Sequence, residues 1–141
     1  MTKKFLLVYI GFAFILNFIW EVSQAGLYTP HFEGISGLFC VHLKATLGDV
    51  IILLVIYIIM SLILRDLKWI NQKNKTLLIS SAILGFVFAV TIEKYALLNN
   101  RWAYNELMPL IPYLDVGLSP IMQLLIIVPA TIYFTRIYGL K

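Results

Sequence analysis

Four long stretches of this chain carry almost no charge. Residues 5–20, 76–92 and 116–135 contain no Asp, Glu, Lys or Arg, and residues 45–64 contain only Asp49. Each comes near the ~20 residues that take an α-helix across ~30 Å of hydrocarbon. In hydrocarbon a backbone must satisfy its own N–H and C=O groups, which limits spanning structures to helices and closed barrels. No short strands of alternating polarity are present, so the barrel is set aside. The sequence therefore predicts an all-α, polytopic membrane protein. Residues 1–141 form a single four-helix transmembrane domain, with helices at about 5–26, 43–64, 76–97 and 115–137.

Composition points the same way. Hydrophobic residues make up 61% and charged residues 13% of the chain, whereas a soluble domain runs near half and a quarter. No internal repeat or low-complexity stretch is present, and 141 residues leave no room for a second domain. The single cysteine, Cys40, excludes an intrachain disulfide and a zinc site built on two or more thiolates. A net charge of +4 does not make nucleic acid a partner, because most basic residues sit at the ends of apolar segments, where topology needs them.

The N-terminal segment has a second reading. Lys3 and Lys4 precede an apolar run, and Ser23-Gln24-Ala25 resembles the small-x-small cleavage site of a secretory signal. Against this, the run from Phe5 to Trp20 is long and Glu21 would stand close to the cut. The segment is read as the first transmembrane helix. Orientation follows from the basic residues. Lys3, Lys4, Arg65, Lys68, Lys73, Lys75, Arg136 and Lys141, eight of the eleven, fall on one side. That side is cytoplasmic by the positive-inside rule. The expectation is a multi-pass protein of the bacterial inner membrane with both termini cytoplasmic. The connections 28–42 and 97–114 then face outward.

With this orientation Glu21, Asp49 and Glu93 lie at similar depth in the outer leaflet, and Gln123 joins them from the fourth helix. Charged groups at such depth are costly and mark a site that holds, moves or reacts with something. Asn17, Glu21 and Gln24 are spaced i, i+4, i+7, so they share a helix face. His42, Thr46 and Asp49 repeat that spacing, and Ser119 and Gln123 are four apart. Polar stripes of this kind face a bundle interior or a cavity. Glu21, Asp49 and Glu93 are the candidate catalytic residues. Asn17, Trp20, Gln24, His42, Arg101, Trp102, Tyr104 and Gln123 are candidate ligand contacts. Each acid also has a plainer role. Glu21 can snorkel to water, Asp49 can make an interhelical hydrogen bond, and Glu93 can pair with Arg101 or Lys44. The outer connection NNRWAYNELMPLIPYL (99–114) is rich in interface-seeking aromatics. It reads as a short interfacial helix or a lid, with Trp20, Tyr28 and Trp102 around the pocket mouth.

The pieces W-E-V-S-Q (Trp20 to Gln24), L-G-D (Leu47 to Asp49), R-W-A-Y (Arg101 to Tyr104) and G-L-S-P-I-M-Q (Gly117 to Gln123) resemble a family of small four-helix proteins of the bacterial inner membrane. That likeness covers most of the chain and implies no activity. The stretch Glu93, Arg101-Trp102, Tyr104, Pro120 is similar to lycopene-cyclase-type membrane proteins. That resemblance implies a short helical bundle with acids facing an isoprenoid. The chain departs from it after Pro120, where Ile121, Met122 and Gln123 stand in place of paired acids. Glu21-x-x-Gln24 also resembles VanZ-like proteins over a short span.

Three functions compete. The favoured one is an outer-leaflet, carboxylate-lined pocket that binds, and can transform, a membrane lipid or isoprenoid-like amphiphile. The second is a small proton- or cation-coupled transporter, dimeric in form. The third is a non-catalytic assembly or immunity-type membrane protein. No cofactor is identified. His42 and the acids would suit several divalent metals, but no ligand spacing such as H-E-x-x-H is present, so no metal ligand is assigned. His31 and His42 are the only histidines available to a haem.

Overall fold

Helices form where the charge-poor runs stand. The computed structural model describes residues 3–30 and 32–139, so His31 and Lys141 lie outside the described residues. The elements are α1 (Lys3–Gln24), α2 (Gly34–Leu64), α3 (Lys75–Leu98), β1 (Leu110–Ile111), β2 (Val116–Gly117) and α4 (Leu118–Tyr138). Single 3-10 turns lie at Ala25–Leu27 and Trp69–Asn71. All four helices are long and apolar enough to cross a membrane. They leave large aliphatic side chains bare on their outward faces, among them Leu7, Ile19, Ile51, Leu62, Ile83 and Val87. Apolar surface of that extent is costly in water and suits helices that lie in a membrane.

Because the helices are apolar on every side, their inward faces are recognised by burial at four-residue steps. On α1 the stripe is Phe5, Tyr9, Ala13, Asn17, Glu21 and Gln24. On α3 it is Leu77, Ser81, Gly85, Ala89, Glu93 and Ala96. Helix α4 is buried on more of its circumference than the others and packs against both α1 and α3. Gly85 makes the α3–α4 contact close: a Cβ added there would meet the Leu124 carbonyl oxygen at 2.7 Å. Helix α2 packs on α1, whereas α2 and α3 barely touch. The bundle is thus tight on three sides and slack on the fourth.

At the end where α1 begins and α4 finishes, the interior is filled. The α2–α3 connection tucks Trp69 and Ile70 fully inside. Trp69 donates its indole N–H to Ser61 Oγ (3.1 Å), and Tyr57 donates its hydroxyl to the Leu67 carbonyl (2.6 Å). Arg136 Nε donates to the Ile70 carbonyl. Next to this cap, Tyr9 donates to the Leu53 carbonyl at 2.9 Å, beside Ile56, Val128 and Ile132.

The opposite end differs from the reading of the sequence in three places. Helix α2 starts at Gly34 rather than near 43. Gly34 takes φ +65°, which glycine tolerates. The added turns are held by packing between separate segments: Phe32 stands edge-on to His42 (5.8 Å) and Phe39 stacks on Phe18 (6.2 Å). Helix α4 starts at Leu118 rather than 115, because Asp115 has φ +52° and Val116–Gly117 pair with β1. The 99–117 connection contains no helix. It is extended and sewn to the end of α1, Thr29 N donating to the Ala103 carbonyl (2.9 Å) and Asn105 N to the Leu27 carbonyl (3.1 Å). Asn105 Nδ2 adds a bond to the Gly26 carbonyl at 2.7 Å. Pro109 and Pro112 lack the N–H groups a helix would need.

The α3–α4 contact yields a direct test. Gly85→Ala places a methyl against fixed backbone, and thermal unfolding in detergent should show a loss of about 1–3 kcal/mol. Gly48→Ala, at a position with nothing within 4 Å of the added carbon, should change stability by less than about 0.5 kcal/mol.

Candidate functional site

The polar residues on the inward stripes meet at the slack end of the bundle. Gln123 on α4 stands at the centre. Its Nε2 donates to Asn17 Oδ1 on α1 (3.0 Å) and to Asp49 Oδ2 on α2 (2.9 Å). Its Oε1 accepts from Gln24 Nε2 at 3.0 Å. Gln24 Nε2 also donates to Glu21 Oε1 (2.9 Å), and Gln24 Oε1 accepts from Ser119 Oγ (2.8 Å). Both amides therefore use both N–H hydrogens and their oxygen, so neither carries an unmet polar group into the interior. Glu21 Oε2 lies 3.4 Å from His42 Nδ1. Asp49 joins the same network through Gln123.

Glu93 is held separately. Its side chain is buried, and its Oε2 accepts from Trp102 Nε1 (3.2 Å) and from the Tyr104 hydroxyl. The Tyr104 hydroxyl in turn accepts from Gly117 N at 2.9 Å. Neutral donors from the outer connection thus meet this acid, rather than Arg101 or Lys44. Glu21, by contrast, has a basic neighbour in His42. The phenols of Tyr28 and Tyr104 are both pushed above the ordinary tyrosine range, chiefly by burial. Glu93 adds to the shift in each, by its charge at Tyr28 and mainly by its hydrogen bond at Tyr104.

A cavity of about 640 Å³ opens beside this network. Of the candidate residues, Glu21, Gln24, His42, Asp49, Glu93, Arg101, Trp102 and Gln123 line it. Asn17, Trp20 and Tyr104 stand behind its wall. Asn17 is fully buried and anchors to the Ala13 carbonyl (2.8 Å) as well as to Gln123. Trp20 turns its N–H to Ser119 Oγ (3.3 Å), away from the mouth where the sequence reading put it. Of the three aromatics expected there, Tyr28 and Trp102 line the cavity. Val41, Lys44, Ala45, Gly48 and Ile52 on α2 also line it, as do residues of α3 and α4 such as Ala89 and Leu124. The sequence did hold a signal for the α2 members. Positions 41, 45, 48 and 52 keep to the helical face next to Asp49.

Chemically, the cavity lining combines carboxyl groups from three helices with apolar side chains, several of them on α2 and α3, which barely touch. Such a lining can bind a cation or exchange protons with a bound molecule. Among the described residues, no three His, Cys, Asp or Glu side chains are grouped as a metal site would require. Comparison with protein-family models, with curated proteins and with solved structures gave no match in any of the three.

The two raised phenols set a pH dependence. Each is neutral in the folded protein to higher pH than in the unfolded chain, where tyrosine titrates near ~10. Their contribution to stability is fully present below that pH and is lost as pH rises above it. Unfolding followed from pH 8 to 11 should show stability falling above about pH 10, and Tyr104→Phe should make the fall shallower. At neutral pH the same variant should cost about 1–3 kcal/mol, because Gly117 N–H loses its acceptor and Glu93 a donor.

Proposed function

We propose that this is a multi-pass protein of the bacterial inner membrane, with both termini cytoplasmic, that holds a lipid- or isoprenoid-like amphiphile in the cavity between α2 and α3. The observation that carries the reading is the cavity itself. Its carboxyl groups come from three helices, its walls are apolar, and it lies along the side where α2 and α3 part. A hollow of this size, lined by both polar and apolar groups, falls in the range of small-molecule sites, roughly 300–1,000 Å³. An opening between helices admits a molecule that already resides in the membrane.

The orientation rests on Arg65, Lys68, Lys73, Lys75 and Arg136, which gather at the filled end of the bundle. The cavity then belongs to the outer leaflet. A carrier would need a polar route to the opposite face. Trp69, Ile70, Tyr9, Leu53 and Ile56 fill that end, and this favours a blind pocket over a conduit. Glu21, Asp49 and Glu93 are the groups able to act as acid or base on a bound molecule.

A photoreactive lipid analogue tests the binding. It should label Ala45, Gly48 or Ala89, and Gly48→Trp should reduce that labelling by about tenfold, the effect of losing ~1.4 kcal/mol. The combined variant Glu21→Gln, Asp49→Asn, Glu93→Gln should bind poorly or lose turnover. Labelling confined to outward positions such as Leu62, Ile79 and Val87, or full function in the triple amide, rejects the pocket. Orientation has its own test in Cys40, the single cysteine and an exposed one. A membrane-impermeant maleimide should modify it in spheroplasts. Modification only after lysis reverses the topology.

A further inference from the structure

The cavity carries a charge order that the proposed function does not use. Its acids lie inside: Glu93 is 5% exposed and Glu21 9%, and Asp49 is half-buried. Its cations lie at the rim: Lys44 on α2 and Arg101 on the outer connection both line the cavity and are both exposed. Opposite charges sharing one cavity would normally collapse into ion pairs. Here they do not: among the described residues neither Lys44 nor Arg101 comes within 4.0 Å of a carboxylate. Two aromatic residues, Tyr28 and Trp102, line the same cavity.

Building on the reading above, we infer that the bound amphiphile is zwitterionic, an aminophospholipid with its primary ammonium turned toward the buried acids Glu21, Asp49 and Glu93 and its phosphate against Lys44 and Arg101. A purely anionic head turned toward those acids would face three carboxyl groups with only His42 as a basic neighbour, and like charges repel strongly where water is scarce. A purely cationic head would satisfy the acids and leave two rim cations facing nothing. A head with its positive charge inward and its negative charge outward matches both layers. The carboxyl oxygens accept N–H bonds, so a primary ammonium fits better than a trimethylammonium, which has no N–H to give. Arg101 and Lys44 supply fork and point donors for phosphate oxygens. The chains leave along Gly48, Ile52 and Ala89. A side chain at Gly48 would meet open space, so α2 offers room there for a methylene chain to pass.

The test uses the full chain in detergent and native mass spectrometry with three lipids bearing the same two oleoyl chains: phosphatidylethanolamine, phosphatidylcholine and phosphatidylglycerol. Phosphatidylethanolamine should bind about tenfold more tightly than either of the others, a difference of ~1.4 kcal/mol. Lys44→Ala with Arg101→Ala changes two exposed residues and should weaken its binding by a similar factor. The isosteric triple amide Glu21→Gln, Asp49→Asn, Glu93→Gln should abolish the preference for phosphatidylethanolamine over phosphatidylglycerol. Equal binding of all three lipids, tighter binding of phosphatidylglycerol, or unchanged phosphatidylethanolamine binding in the Lys44/Arg101 variant overturns this inference while leaving an amphiphile pocket standing. Binding of none of the three, together with no photolabel in the cavity, removes the pocket as well.

Discussion

One amide side chain holds three helices in register at the cavity end. Gln123 gives one hydrogen to Asn17 on α1, the other to Asp49 on α2, and receives one from Gln24. Each of those partners would otherwise bring an unmet polar group into a poorly solvated interior, where the penalty is largest. The apolar surfaces of these helices cannot supply such register, because lipid satisfies a leucine as well as another helix does. Hydrogen bonds and close packing must set it. Two cavity-lining groups, Gln24 on α1 and Asp49 on α2, are fixed directly by their bonds to this one residue.

The second determinant is unequal packing. Gly85 draws α3 onto α4, and α1 lies against both α2 and α4. No comparable contact draws α2 to α3, although the tucked Trp69–Ile70 turn ties their ends together. Two helices joined at one end and unheld along their length leave a wedge-shaped space. The polar network stands on the α1–α4 side of that wedge, and Glu93 reaches it from α3. Tyr104 and Trp102 keep Glu93 there by donating from the outer connection. Pairing of that connection with residues 26–29 in turn holds these donors in place.

Much of this was legible in the sequence because hydrocarbon imposes a simple rule. Charge-poor runs of spanning length become helices, and polar residues spaced by three or four on such runs share a face. The grouping of Asn17, Glu21 and Gln24, of His42, Thr46 and Asp49, and of Ser119 with Gln123 follows from that spacing alone. What was not legible depends on contacts between segments. The early start of α2 is held by Phe32 on His42 and Phe39 on Phe18, pairs that no local pattern discloses. Trp20 reads from the sequence as a residue of the pocket mouth, yet Ser119, 99 residues away in sequence, claims its N–H. The partners of Glu93 were sought among cations, whereas a folded-back loop offered neutral donors. Nothing in the spacing of α2 and α3 indicates that they part.

In the proposed setting the gap between α2 and α3 would face sideways, along the plane of the surrounding film rather than toward either aqueous phase. A molecule entering it there would do so by two-dimensional diffusion, and its supply would be its mole fraction among neighbouring molecules. Competition in such a setting would be continuous. A few-fold preference between candidates then decides which of them is resident, and great tightness would only slow exchange.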